Sequence, residues 1–240
     1  MNATEILAVG AHPDDIELSC GGLLLQMAER GYRFSMIDLT AGEKGSRGTR
    51  ELRAQEAKAA AELMGASARE CLGLPDTKLA ATEGAVKLMV ECLRKYRPKL
   101  VVSMSRDDAH PDHAAAAHIV DRAVFFSGLK NFEADGAPHR VRRVIRYSRQ
   151  PEFRPSFVVD ISDAVEKKLA AVRCYGSQFT RIQEGYRTPI SAPDFEEDLR
   201  AFWRFHGMSI GAIYAEPYQM DGPPAVPDPI AALCEQRRDF

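Results

Sequence analysis

Cysteine is sparse in this chain of 240 residues: five in all, at Cys20, Cys71, Cys92, Cys174 and Cys234, widely scattered and never spaced as CxxC. That excludes a disulfide framework and a thiolate metal site, and makes a reducing cytoplasm the expected compartment. Long apolar runs are missing too. No stretch approaches the roughly 18 uninterrupted apolar residues that a bilayer requires, and the opening MNATEILAVGAHPDD lacks the cationic and apolar regions of a secretory signal, so neither export nor membrane insertion is expected. Nor is there a surplus of either charge: 32 Lys and Arg face 34 Asp and Glu, a formal net charge of -2. Without a basic surplus to displace phosphate counterions, nucleic acid is not an expected partner. What is present is an ordinary globular composition, 45% hydrophobic, in a chain long enough to bury roughly 70% of its unfolded surface around one core.

Two periodicities alternate as far as Ser105. Ile6 to Val9, Phe34 to Leu39 and Leu100 to Val102 read as short buried strands. Between them lie helical segments, Asp15 to Arg30 halting at Gly31 and Thr49 to Met64 halting at Gly65, where a left-handed C-cap favours glycine. Glu83 to Tyr96 sets Leu88, Met89, Cys92, Leu93 and Tyr96 on one helix face before Pro98, and a fourth helix spans Pro111 to Phe126. This alternation predicts βαβ units and hence an α/β fold: a single three-layer α/β/α domain with a Rossmann-like, mainly parallel sheet. Strands at Arg142 to Arg149 and Phe157 to Ile161, and helices at Asp163 to Tyr175 and Phe195 to Phe205, read as additions to the same domain. The domain is expected over residues 1–216. Residues 217–240, proline- and glycine-rich between Pro217 and Pro229, are expected as an extended arm, part of the same domain or of an oligomer interface.

The chemistry concentrates at two strand ends. In an open α/β sheet, ligands gather beyond the carboxyl ends of the strands. There His12, Pro13, Asp14 and Asp15 lead into the first helix, and an imidazole and a carboxylate three residues apart across a proline turn can reach one divalent ion while Asp14 points elsewhere. Taken alone, HPDD also reads as a turn with an Asp N-cap. A second cluster, His110, Pro111, Asp112 and His113, follows the strand that ends at Ser105. Together they offer a two-histidine, one-carboxylate set, suited to zinc with an open position for water and equally able to hold iron(II) or another divalent metal. His118, His139 and His206 stand singly and point to no site. The GxxGxxG spacing at Gly42, Gly45 and Gly48 matches neither a dinucleotide fingerprint nor a P-loop.

AHPDD at 11 to 15 and HPDH at 110 to 113 resemble the two signatures of the LmbE-like, or PIG-L type, zinc-dependent N-acetylglucosaminyl deacetylases. Within that family the chain looks most like the deacetylases of N-acetylglucosaminyl malate in bacillithiol biosynthesis, through LTAGEKGSRGT (39 to 49), ELRAQEAKAAAELMG (51 to 65), LGLPDTKL (72 to 79), YGSQF (175 to 179) and YAEPY (214 to 218). The resemblance implies Zn2+ held by His12, Asp15 and His113, with Asp14 as general base. It also implies that His110, paired with Asp112 and so kept protonated, stabilises the oxyanion and assists amine departure. Arg53 would contact the sugar, or else form a helix-surface ion pair with Glu56. Arg140 would meet a malate carboxylate or lie on a solvated strand edge, and Glu43, in the glycine-rich loop after the second strand, would meet a sugar hydroxyl. Other substrates of the same chemistry are a mycothiol-type precursor, a thiol S-conjugate or a short chito-oligosaccharide; a non-catalytic sugar-binding domain is the rival of a different class. Relatives form compact homo-oligomers, often hexamers. Where some carry a tyrosine in a late substrate loop this chain has Phe195, with Tyr186 and Tyr214 as candidate replacements.

Overall fold

The computed structural model describes residues 3–179 and 189–230. The first half repeats strand and helix: β1 (Ile6–Gly10), α1 (Asp15–Glu29), β2 (Phe34–Thr40), α2 (Arg50–Met64), β3 (Ala68–Leu74), α3 (Glu83–Tyr96), β4 (Leu100–Met104), α4 (Pro111–Ser127) and β5 (Arg143–Tyr147). The second half adds β6 (Phe157–Asp160), α5 (Val165–Arg173), the short α6 (Gly176–Phe179), α7 (Phe195–Met208) and β7 (Ala215–Met220). Seven strands form one sheet in the order β3-β2-β1-β4-β5-β7-β6. Strands β1 to β5 are mutually parallel, and β7 runs antiparallel between β5 and β6. Right-handed crossovers toward β3 put α1 and α2 on one face, and the return crossovers put α3 and α4 on the other. Leu7, Val9, Met36, Ile37, Val101 and Val102 are wholly enclosed between these layers, as apolar runs in a doubly covered parallel sheet should be.

Several ends follow from local chemistry. Thr49 and Thr82 accept the amides of Leu52 and Ala85 as N-caps, and Gly65 closes α2 at φ 79, a conformation that spares only glycine a Cβ clash. Helix α3 ends on Arg97 at φ 52, immediately before Pro98.

Three expectations need correction. Strand β3 was not anticipated: its sequence, ARECLGL, interrupts the apolar pattern with Arg69 and Glu70, because an edge strand is only half covered. Leu88 does not share the buried face of α3 and is exposed. The proposed arm does not begin at Pro217. Residues 215–220 form β7, an inner strand in which Pro217 sits opposite Val158. Only 221–230 lie exposed beyond it, and Cys234 falls outside the described residues.

Strand β7 is secured by a buried charge. Glu216 accepts the backbone N–H groups of Gly22 and Leu23, both at 2.8 Å, Lys168 Nζ at 2.5 Å and the Tyr218 hydroxyl at 2.6 Å. Lys168 also lies 4.0 Å from the Trp203 ring. A Cβ at residue 22 would stand 2.6 Å from Ile161 Cγ2 and 2.9 Å from Glu216 Oε1, so the approach of α1 to this strand requires glycine.

Candidate active site

The carboxyl ends of all five parallel strands, β1 to β5, deliver loops to one pocket of about 270 Å3, lined by His12, Asp14, Asp15, Arg53, His110 and His113, with Lys44, Asp76 and Arg149 among the others. Asp14 occupies the N-cap position of α1 at φ 108, yet its side chain makes no cap bond. It therefore does not serve as a simple helix cap. A left-handed conformation costs a non-glycine residue about 1–2 kcal/mol, and Arg53 holds it in place. The guanidinium Nη2 donates to Pro13 O at 2.5 Å and Asp14 Oδ2 at 3.1 Å, and Nη1 donates to Gly42 O at 3.1 Å. Gly42, at φ 64, must be glycine here, since a Cβ would come within 2.1 Å of Arg53 Nη1.

Around this clamp the imidazoles converge. His110 stacks on His113 at 4.4 Å between ring centroids and His12 meets His110 edge-on at 5.1 Å. One nitrogen from each of the three lies within 4.8 Å of the others. Asp15 bridges the two strand ends: Oδ1 is 3.3 Å from His113 Nε2, and Oδ2 is 3.4 Å from His12 Nδ1 while accepting the His12 amide at 2.8 Å. The remaining nitrogens find carboxylates as well. His12 Nε2 lies 3.2 Å from Asp76 and 3.3 Å from Asp112, and His113 Nδ1 lies 3.2 Å from Asp108.

Such a set of donors calls for positive charge at its centre. Burial opposes protonation of His12 and His113, but Asp15 and Asp76 raise the first to about 11, and Asp15 with Asp108 raises the second to about 9. Burial likewise opposes ionisation of Asp15, yet His113 and His12 hold its carboxyl well below the usual range. Protons on these imidazoles balance the carboxylates, and a divalent ion bound here would have to displace them. Asp14 differs: burial pushes its carboxyl up to about 7 against the pull of Arg53. Two neighbouring carboxylates thus have opposed tendencies, the pattern by which acid and base duties separate.

The positions of the anticipated residues differ. The Asp112 carboxylate is not paired with His110. It accepts the amides of Thr77 at 2.8 Å and Leu79 at 3.2 Å and faces His12, while His110 Nδ1 accepts the Asp112 backbone N–H at 3.2 Å. Burial and the neighbouring imidazoles of His113 and His12 lower the His110 pKa, against the expectation that pairing with Asp112 would keep the ring protonated. Arg53 makes no surface pair with Glu56, whose carboxylate accepts Ser177 N and Oγ. Glu43 does not line the pocket; its Oε1 accepts the Asp76 amide at 2.9 Å. Arg140 precedes β5, at the amino end of the sheet, against Gly128. The cation at the opposite, carboxyl end of β5 is Arg149. Phe195 stacks on Phe179 at 5.4 Å rather than facing the pocket, and Tyr214 packs in the same apolar cluster. Tyr186 lies outside the described residues.

Sequence reasoning passed over Asp76, Asp108, Lys44 and Arg149. Asp76 lies within LGLPDTKL, and its Pro-Asp turn between two elements was its signal. Also unanticipated is a buried network behind Asp14. Arg69 grips Asp38 through Nε and Nη2 and pairs with Glu17, which in turn accepts the Tyr175 hydroxyl at 2.9 Å. A glutamate within the otherwise apolar DIELSCGGLLL of α1 was its trace.

Comparison with known proteins bears on this arrangement. The family model PIG-L, GlcNAc-PI de-N-acetylase, matches residues 7–124, which contain both histidine clusters. Diacetylchitobiose deacetylase of Thermococcus kodakarensis is 31% identical over 88% of this chain and 81% of its own length. The chain belongs to the PIG-L family. Its structural likeness extends to a conserved protein from Thermus thermophilus, 38% identical, with a TM-score of 0.85 over 93% of this chain and 98% of that one. Among PIG-L relatives, a probable N-acetyl-alpha-D-glucosaminyl L-malate deacetylase of Bacillus anthracis is 28% identical over 84% of this chain and 95% of its own. A 4-oxalmesaconate hydratase of Pseudomonas putida is 29% identical over 72% of this chain and 73% of its own, so more than one water chemistry occurs among these relatives. No helix among the described residues is long and apolar enough to cross a membrane.

Proposed function

We propose that this protein is a metal-dependent hydrolase that removes the N-acetyl group from an N-acetylglucosamine conjugate, with N-acetylglucosaminyl malate as its specific substrate. The observation that carries the reading is Asp14, a buried carboxyl with a raised pKa at the edge of an imidazole–carboxylate cluster. His12, Asp15 and His113 are the residues that would hold the ion, zinc in the first instance. A bound divalent ion supplies Lewis acidity, polarising the amide carbonyl and lowering the pKa of water toward roughly 7. Asp14 takes the proton of the attacking water and delivers it to the departing amine, a duty suited to a pKa near the working pH. His110, neutral, presents Nε2–H to the carbonyl oxygen as charge develops there. Asp76 and Asp108 orient His12 and His113 through their second nitrogens.

The malate reading rests on two cations. Lys44 and Arg149 line the pocket, and neither side chain has a carboxylate partner among the described residues. A dianionic aglycone would satisfy both. The unpaired thiols of Cys20, Cys71, Cys92 and Cys174 fit a reducing cytoplasm. Phe205 and Met208, 69% and 67% exposed, offer an apolar surface for a homo-oligomer, which a solution mass measurement tests.

The test of the mechanism is Asp14→Asn. Acetate release from the malate conjugate should fall about 100- to 10,000-fold in kcat while the metal content of the purified protein stays at the wild-type level. Wild-type turnover in the variant would overturn the role of Asp14.

A further inference from the structure

Among the described residues, three that are not glycine take a positive φ: Asp14, Thr77 and Arg97. Arg97 closes α3 as its C-cap, and Asp14 is the buried carboxyl of the histidine pocket. Thr77, at φ 64, lies in the loop between β3 and α3 and caps no helix. It is also β-branched, the kind of side chain for which a left-handed backbone is a genuine outlier. Glycine at this position would be spared the Cβ clash, so threonine is kept here at a cost in stability. Backbone strain of this kind persists only where the surroundings enforce it, and it gathers at ligand sites.

The surroundings do enforce it. Asp112, 2% exposed, accepts the Thr77 amide at 2.8 Å and the Leu79 amide at 3.2 Å. Glu43 accepts the amide of Asp76 at 2.9 Å, and the Asp76 carboxylate accepts the amide of Lys44 at 2.7 Å. Asp76 and Asp112 in turn face His12 Nε2 at 3.2 and 3.3 Å. Thr77 is thus fastened to the same carboxylates that face His12, and its backbone cannot relax without disturbing them.

Nothing within the fold uses the side chain itself. It is exposed, so burial of its methyl group does not offset the strain. Its amide is bound, but its hydroxyl forms no hydrogen bond among the described residues. Thr77 instead lines the histidine pocket, together with His12, Lys44 and Asp76.

We infer that Thr77 is a specificity-determining residue whose hydroxyl binds a ring hydroxyl of the sugar that carries the acetamide. A threonine hydroxyl donates and accepts at once, which matches a sugar hydroxyl, and a backbone already fixed presents it with little further ordering on binding. The inference rests on the amide-hydrolase reading of the pocket and adds a contact to the ring, separate from the cations assigned to the aglycone.

The experiment uses variants that separate the strain from the hydroxyl. Thr77→Gly removes both, Thr77→Ala keeps the strained Cβ without the hydroxyl, and Thr77→Ser keeps the hydroxyl. In thermal melts of the metal-loaded protein, Thr77→Gly should raise Tm by about 2 to 4 °C. In acetate release from N-acetylglucosaminyl malate, Thr77→Gly and Thr77→Ala should each raise KM about threefold to tenfold, the effect of one lost neutral hydrogen bond, while Thr77→Ser stays within about twofold of wild type. A Thr77→Gly protein with the wild-type KM, or a Thr77→Ser protein as impaired as Thr77→Ala, would overturn the hydroxyl contact and leave the hydrolase reading intact. A Thr77→Gly protein that melts at or below the wild-type temperature would overturn the claim that threonine is kept against stability. A wild type that releases no acetate from any N-acetylglucosamine conjugate would overturn the hydrolase reading and the contact together.

Discussion

Arg53→Met separates a clamp from a substrate contact. The arginine is buried, 4% exposed, and its guanidinium holds Pro13 O, Gly42 O and the Asp14 carboxylate together. Methionine has similar reach but no donor, so the change strands a buried carboxylate and two carbonyls that already pack against a left-handed backbone. Removing one partner of a buried ion pair costs about 3–5 kcal/mol. For a chain of this size that is a fall in Tm of about 6 to 20 °C. Asp14 would also lose the neighbour that opposes its burial-raised pKa, and its backbone would no longer be held at φ 108. Catalysis should then fail in kcat as well as KM. Arg53→Lys should recover little, because a single ammonium cannot span three acceptors in the planar geometry a guanidinium offers. Thermal melts of the metal-loaded protein and steady-state acetate release are the assays. Should Arg53→Met melt within about 2 °C of wild type and raise KM with kcat intact, Arg53 contacts the sugar and clamps nothing.

Three further outcomes follow from the geometry. Glu216→Ala leaves Lys168 buried without its counter-ion and the Gly22 and Leu23 amides without acceptors, and should cost about 3–5 kcal/mol in denaturant titration. In the metal-free protein, His113 has a folded pKa of about 9 against an ordinary 6.5, so its contribution is complete below the unfolded value and is lost as pH rises through about 9. Metal-free Tm should therefore decline across that window, while metal affinity rises as the competing proton leaves. Arg149→Ala should raise KM for the malate conjugate about tenfold or more, as expected for loss of a charge-assisted contact, and Arg140→Ala should leave it unchanged; equal effects would remove the reason for assigning the aglycone cation to the carboxyl end of β5.

The layered fold and the histidine clusters were legible because each rests on local rules. Buried parallel strands such as β1 and β4 are largely apolar, a helix such as α2 stops at a left-handed glycine, Gly65, and ligands gather at strand ends, which brought His12 and His113 together. What escaped depends on partners distant in sequence. Strand β3 carries Arg69 and Glu70 because it is an edge, and nothing local reveals that Arg69 crosses to Asp38 and Glu17. Pro217 reads as an arm residue until a neighbouring strand leaves its missing N–H without consequence. Asp112 lies next to His110 in sequence, yet its carboxylate is turned to the Thr77 and Leu79 amides. Arg140 and Arg149 stand at the two ends of β5, and only the direction of that strand in the sheet decides which of them reaches the pocket.

The central claim is that these histidines and carboxylates hold a divalent ion that serves amide hydrolysis. Chelator-stripped protein, reloaded with zinc in stoichiometric steps, should regain acetate release from N-acetylglucosaminyl malate in proportion to bound metal. Reloaded protein that binds the ion at His12, Asp15 and His113 yet releases acetate from no N-acetylglucosamine conjugate, while hydrating an unsaturated dicarboxylate, would contradict it.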